Sequence, residues 1–125
     1  MMTPEEIAKA FYGALAKRDW EALRALLHPD ATWTLPGENA VSGMTVGAAD
    51  VIDRVKLIIS YGVSVKLENI LLSRDNMALS LHNTAERDGI FLDEKLATVC
   101  HLEKGLIASI ETFLSDVPGM NNFFV

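Results

Sequence analysis

From Thr3 to about Ser60 the apolar positions fall mostly at three- and four-residue intervals, and from Val63 onward they alternate with polar ones. The first spacing marks helices with one buried stripe and the second marks strands with one buried face. Ile7, Ala10, Phe11, Ala14 and Leu15 make the stripe of a first helix. Thr3 is its N-cap, Pro4 its first helical residue, and Glu6 completes a Thr-x-x-Glu capping box. Asp19 caps a short second helix through Leu27, burying Trp20, Leu23, Leu26 and Leu27. It ends at His28-Pro29-Asp30, because the residue before proline is pushed out of the helical region. Ala31-Thr32-Trp33-Thr34-Leu35 alternates as a short strand stopped by Pro36-Gly37. A loop through Thr45 follows, then a third helix from about Gly47 to Ser60 with Val51, Val55, Ile58 and Ile59 facing inward.

Four strands complete the chain: Val63–Ser73, Met77–Arg87, Ile90–Glu103 and Leu106–Ser115. Helices first and a meander afterwards predict an α+β fold, with helices packed on one face of a mainly antiparallel sheet. Asp88-Gly89 suits a two-residue hairpin, which pairs Arg87 with Ile90 and Leu81 with Leu96. Glu103-Lys104-Gly105 suits a three-residue loop, which sets Leu102 opposite Leu106 and Thr98 opposite Ile110. Alternation then collects Met77, Leu79, Leu81, Asn83, Leu96, Thr98, Cys100, Ala108, Ile110, Thr112 and Leu114 on one face. The other carries His82, Glu86, Lys95, Val99, His101, Ile107, Glu111 and Phe113. The first face is apolar and belongs under the helices. A one-residue slip would bury Glu111, Lys95 and His82 together, at several kcal/mol each if unpaired.

Composition narrows the function classes. The 125 residues bound a single domain. With 11 Lys+Arg against 17 Asp+Glu the net charge is −6, which repels phosphate backbones and anionic membranes. Only Lys17-Arg18 and Arg54-x-Lys56 gather basic charge, so neither nucleic acid nor a membrane is an expected partner. Cys100 stands alone, which excludes an internal disulfide or a thiol-rich zinc site and suits a reducing cytoplasm. Met1–Glu6 is acidic rather than signal-like, and no apolar run approaches the ~18–20 residues of a membrane span. His28, His82 and His101 fall on separate elements, so no metal and no cofactor is expected.

Three local features coincide: the N-terminal helical pair, a Trp-x-x-Pro-Gly strand end at Trp33, Pro36 and Gly37, and a Ser-Gly-x-x-x-Gly loop at Ser42, Gly43 and Gly47. Together they resemble the SnoaL-like branch of the nuclear-transport-factor-2-like superfamily, over essentially the whole chain. The resemblance implies a cone-shaped α+β barrel enclosing a pocket, commonly a homodimer through the outer sheet face. Its members include ketosteroid isomerases, polyketide cyclases, epoxide hydrolases and non-catalytic transport proteins, so the site must decide the function. The isomerases' helix-one tyrosine falls on Phe11, with Tyr12 one residue off; their general base falls on Leu35 and their protonated aspartate on Thr98. The last-strand aspartate of cyclases and hydrolases falls near Thr112, and the hydrolases' strand arginine and aspartate fall near Leu79 and Leu81. None of those groups is retained.

The candidate ligand-binding set is therefore Phe11, Trp33, Leu35, Asn83, Thr98, Cys100, Ile110 and Thr112. Two readings stand for its polar members: they bond one another or a buried water, or they orient a ligand against apolar walls. Cys100, with no neighbouring base, reads as an inert core thiol. Asp116 and Asp53, near the cone mouth, are the acids to nominate as a general base, although caps and loop ends also account for such residues. Three functions follow. The first is a pocket protein for an apolar, polyketide- or steroid-like molecule. The second is an isomerase, cyclase or hydrolase using a relocated rim acid. The third is a non-catalytic interaction subunit.

Overall fold

The helix-start signals act as their chemistry dictates. In the computed structural model, which describes Met1 to Val125, α1 (Pro4–Lys17) opens on a complete capping box. Thr3 Oγ1 accepts from Glu6 N at 3.2 Å, and Glu6 Oε1 accepts from Thr3 N at 2.8 Å. Asp19 caps α2 (Trp20–Leu26) by accepting from Ala22 N. The chain continues as β1 (Leu27–Leu35), β2 (Gly43–Val46), α3 (Ala48–Ser60), β3 (Ser64–Ser73), β4 (Asn76–Arg87), β5 (Ile90–Glu103), β6 (Leu106–Leu114) and α4 (Val117–Phe123). The six strands form one curved sheet in the order β2-β1-β6-β5-β4-β3. Only the β1–β6 pair is parallel; the fold is α+β, a cone whose sheet does not close.

Four expectations need correcting. Strand β1 begins at Leu27, not Ala31: Pro29 lies within a register break against β6, where its missing N–H costs no ladder bond. Part of the expected loop is β2, an edge strand pairing Trp33 with Thr45. The tail forms α4, which Asp116 caps by accepting from Gly119 N at 3.0 Å.

The fourth correction concerns the β5–β6 hairpin, which turns on two residues rather than three. Lys104 and Gly105 both take positive φ, as Asp88 and Gly89 do, so Glu103 pairs with Leu106. A bulge at Ala108 then adds the extra residue. Ile107 swings to the helix side opposite Leu102 and is fully buried, against its expected outer placement. Beyond the bulge the total slip is two residues, so every face assignment survives. Thr98, however, lies opposite Thr112, not Ile110.

Two apolar clusters fill the cone. The larger packs Ile7, Phe11, Leu23, Val51 and Val55 of the helices onto Leu79, Leu81, Cys100 and Ile110 of the sheet. The smaller sits under α4, where Met120, Phe123 and Phe124 meet Leu35, Val41, Val63 and Leu92. The tail is pinned by polar groups as well. Arg87 donates to Phe123 O, Tyr61 to Val125 O, and Glu38 N and Asn39 Nδ2 to Asn121 Oδ1. Gly37 makes this seam possible: at φ 113°, a Cβ there would stand 2.7 Å from Asn121 Oδ1.

Candidate functional site

Between the concave sheet face and the helices lies a narrow cavity of about 80 Å³, bordered by 18 residues, 15 of them hydrophobic. Its floor comes from alternate residues of three strands: Leu81 and Asn83 of β4, Leu96 and Thr98 of β5, Ile110 and Thr112 of β6. Phe11 and Leu15 of α1 and Val51, Val55, Ile58 and Ile59 of α3 form the roof, because their helical spacing turns them to one side. Trp33 and Leu35 of β1 close one wall, and Met120 and Phe124 close the end under α4. No ionisable side chain borders the space.

Seven of the eight residues expected to bind ligand thus meet in one cavity: Phe11, Trp33, Leu35, Asn83, Thr98, Ile110 and Thr112. Cys100 does not. It lies one alternate position further along β5, fully buried in the main cluster, where burial pushes its thiol pKa up to about 12. That thiol is a core filler.

The polar members are linked. Trp33 Nε1 donates to Thr112 Oγ1 at 3.0 Å, and the hydroxyls of Thr112 and Thr98 lie 3.2 Å apart. The two-residue slip in the hairpin is what puts these threonines side by side. Asn83 stands apart, and its Oδ1 is buried without a hydrogen-bond partner. An amide among leucines with unmet capacity is costly for a core and useful for recognition.

Two charged groups behind the walls escaped the sequence reading. Arg54 of α3, 8% exposed, lies over the Trp33 ring at 5.0 Å and donates to Trp33 O at 3.3 Å. It fixes the indole from outside, and burial lowers its pKa from the ordinary arginine value. Glu94 of β5 is 1% exposed and sits opposite Asn83 on the cavity-facing side of the sheet. Its Oε1 accepts from Asp116 N at 2.9 Å and Ser115 Oγ at 3.4 Å. Burial raises its pKa, with a smaller push from the Asp116 charge, while those hydrogen bonds pull the other way. The alternation that placed Leu96 and Thr98 inward also points Glu94 inward, so extending it two residues back would have found this acid.

The nominated acids lie elsewhere. Asp116 is an exposed cap of α4, and Asp53 is exposed on α3, beside shallow surface grooves; neither borders the cavity. On the outer sheet face His82 pairs with Asp93, while Phe91 and Phe113 are 72% and 54% exposed. No helix is long and apolar enough to cross a membrane.

An α+β cone lined this way defines a class of protein before any comparison. The chain belongs to the SnoaL-like domain family, whose model matches residues 8–110. It is similar in structure to Bal32a from a soil-derived mobile gene cassette, at 23% identity and a TM-score of 0.90, over 98% of this chain and 96% of that one. A nuclear-transport-factor-2-like protein of Burkholderia xenovorans superposes over 100% and 99% of the two chains, at 18% identity and a TM-score of 0.84. TerC, co-crystallized with polyporic acid, superposes over 97% of each chain at 16% identity and a TM-score of 0.82. At these identities the likeness is one of fold. Of the positions that the family resemblance assigned to catalytic groups, Phe11, Leu35, Leu81, Thr98 and Thr112 border the cavity, Leu79 lies fully buried in the main cluster, and none carries an ionisable group.

Proposed function

We propose that this SnoaL-like protein binds a small, predominantly apolar molecule of polyketide- or steroid-like character in its cavity, and does so without acid–base chemistry from the cavity wall. One observation carries the reading: a cavity with 15 hydrophobic lining residues of 18, three neutral polar ones and no titratable group. General acid–base catalysis needs a titratable group within hydrogen-bonding reach of the reacting atoms. Asp116 and Asp53 do not meet that condition, which weighs against the relocated-acid enzyme. Exposed Phe91 and Phe113, beside half-buried Val99 on the outer face, support a homodimer through that face. The lone reduced thiol of Cys100 suits a cytoplasmic setting.

The two tryptophans make the binding test internal. Trp33 borders the cavity and Trp20 a surface groove, so 1-naphthol titrated into 15N-labelled protein should shift the Trp33 indole N–H resonance and leave that of Trp20 in place. Movement of neither, up to the solubility limit of the probe, overturns the reading.

A further inference from the structure

The polar groups of the cavity are not gathered at one point. Thr98 of β5 pairs with Leu79 of β4, and Asn83 lies four residues beyond Leu79, about 13 Å further along the strand. Between the two levels stands the apolar pair Leu81 and Leu96. The cavity therefore has two poles joined by an apolar belt, and each pole has hydrogen-bonding capacity to spare.

At the threonine pole the indole of Trp33 can only donate, so Thr112 Oγ1 accepts from it. Thr98 and Thr112 share one further bond, with either as donor. In both arrangements one hydroxyl proton of the pair is unspent in this chain of bonds. At the other pole Asn83 Oδ1 has no partner, and rotation of the amide about χ2 can present either of its ends to the cavity. A hydroxyl both donates and accepts, so it satisfies Asn83 in either orientation and accepts the spare threonine proton. Charge is unwelcome. No ionisable side chain borders the space to pair an ion of either sign, and for an anion the acid Glu94 beside Asn83 on the same face adds repulsion.

We infer that the cavity, once its roof side chains move aside to widen its space of about 80 Å³, is selective for a neutral, flat, elongated molecule of about two fused or linked rings bearing a hydroxyl-type group at each end, one for Asn83 and one for the Thr98–Thr112 pair. This deepens the proposed binding function and rests on it.

The test is calorimetric titration with a matched series: biphenyl, 4-hydroxybiphenyl, 4,4′-dihydroxybiphenyl, biphenyl-4-carboxylate and 4-phenylbenzylamine. Each hydroxyl should tighten binding roughly three- to tenfold, and the two charged members should bind more weakly than biphenyl. Asn83→Leu should erase one hydroxyl increment, read within that variant as the ratio of 4,4′-dihydroxybiphenyl to biphenyl affinity. The paired change Thr98→Val with Thr112→Val should erase the other, and should it fail to fold, Asn83→Leu alone still decides. Equal affinity for biphenyl and its diol overturns the two-pole inference and leaves the apolar-pocket reading intact. Tighter binding of the carboxylate or the ammonium overturns the claim of neutrality. Binding of no member overturns both.

Discussion

Thr112→Val isolates the hydrogen-bonded chain at the heart of the cavity. Valine matches the shape of threonine, so packing is kept and only the oxygen is lost. Thr112 is 2% exposed, and its Oγ1 is the acceptor for the Trp33 indole N–H at 3.0 Å. Without it that donor is stranded among aliphatic side chains, at a cost of about 1–3 kcal/mol. For a domain of this size each kcal/mol is worth roughly 4 °C, so the melting temperature should fall by about 4–12 °C. Thr98→Val leaves the indole bond in place and should cost less. The decisive comparison is Thr112→Val made in a Trp33→Phe background, where no indole N–H remains to strand. Urea denaturation of the four proteins should give a coupling energy above about 1 kcal/mol. A coupling near zero, with the full loss persisting in the phenylalanine background, would show that Trp33 and Thr112 do not form the bond that orders this pole.

Three further outcomes follow from the same geometry. Glu94 has a folded-state pKa above its ordinary value near 4.5, so the folded protein holds that proton more tightly than the unfolded chain, and stability is lost as pH rises through this window. Glu94→Gln escapes the loss: its stability relative to the parent should improve as pH rises above about 4.5 and then level off once Glu94 has ionised in the folded protein, and a fall with rising pH in urea melts would contradict the assignment. Phe113→Asp on the outer face should convert a particle of twice the 13.7 kDa chain mass into one of a single chain mass by light scattering; a parent already of single-chain mass at micromolar concentration rules out the dimer. Cys100, with its thiol pushed up to about 12 in the core, should react with a disulfide reagent at neutral pH only as fast as the native protein unfolds, and rapid labelling would place it at an accessible surface.

Much of this architecture is written locally. Thr3, Asp19 and Asp88-Gly89 each specify a cap or turn through short-range chemistry, and the structure uses all three as expected. Beyond the bulge the expected faces are kept because side-chain direction repeats every two residues and the slip there is two. The bulge that flipped Ile107 and aligned Thr98 with Thr112 depends on how the sheet curves, which no local pattern encodes. Helix α4 did leave a signal, an aspartate two residues before Pro118, and Glu94 left one in the alternation of β5. Arg54 left none. Its burial follows from the way α3 crosses Trp33, a tertiary fact.

The central claim is that the cone holds a neutral apolar molecule, and a crystal structure of the protein with 4-hydroxybiphenyl tests it most directly. The account predicts ring density between Leu81 and Ile110 of the sheet and Val55 of α3, with the hydroxyl at Asn83 or at the Thr98–Thr112 pair. A ligand found only in the grooves beside Asp53, with the cavity holding water or nothing, would contradict it.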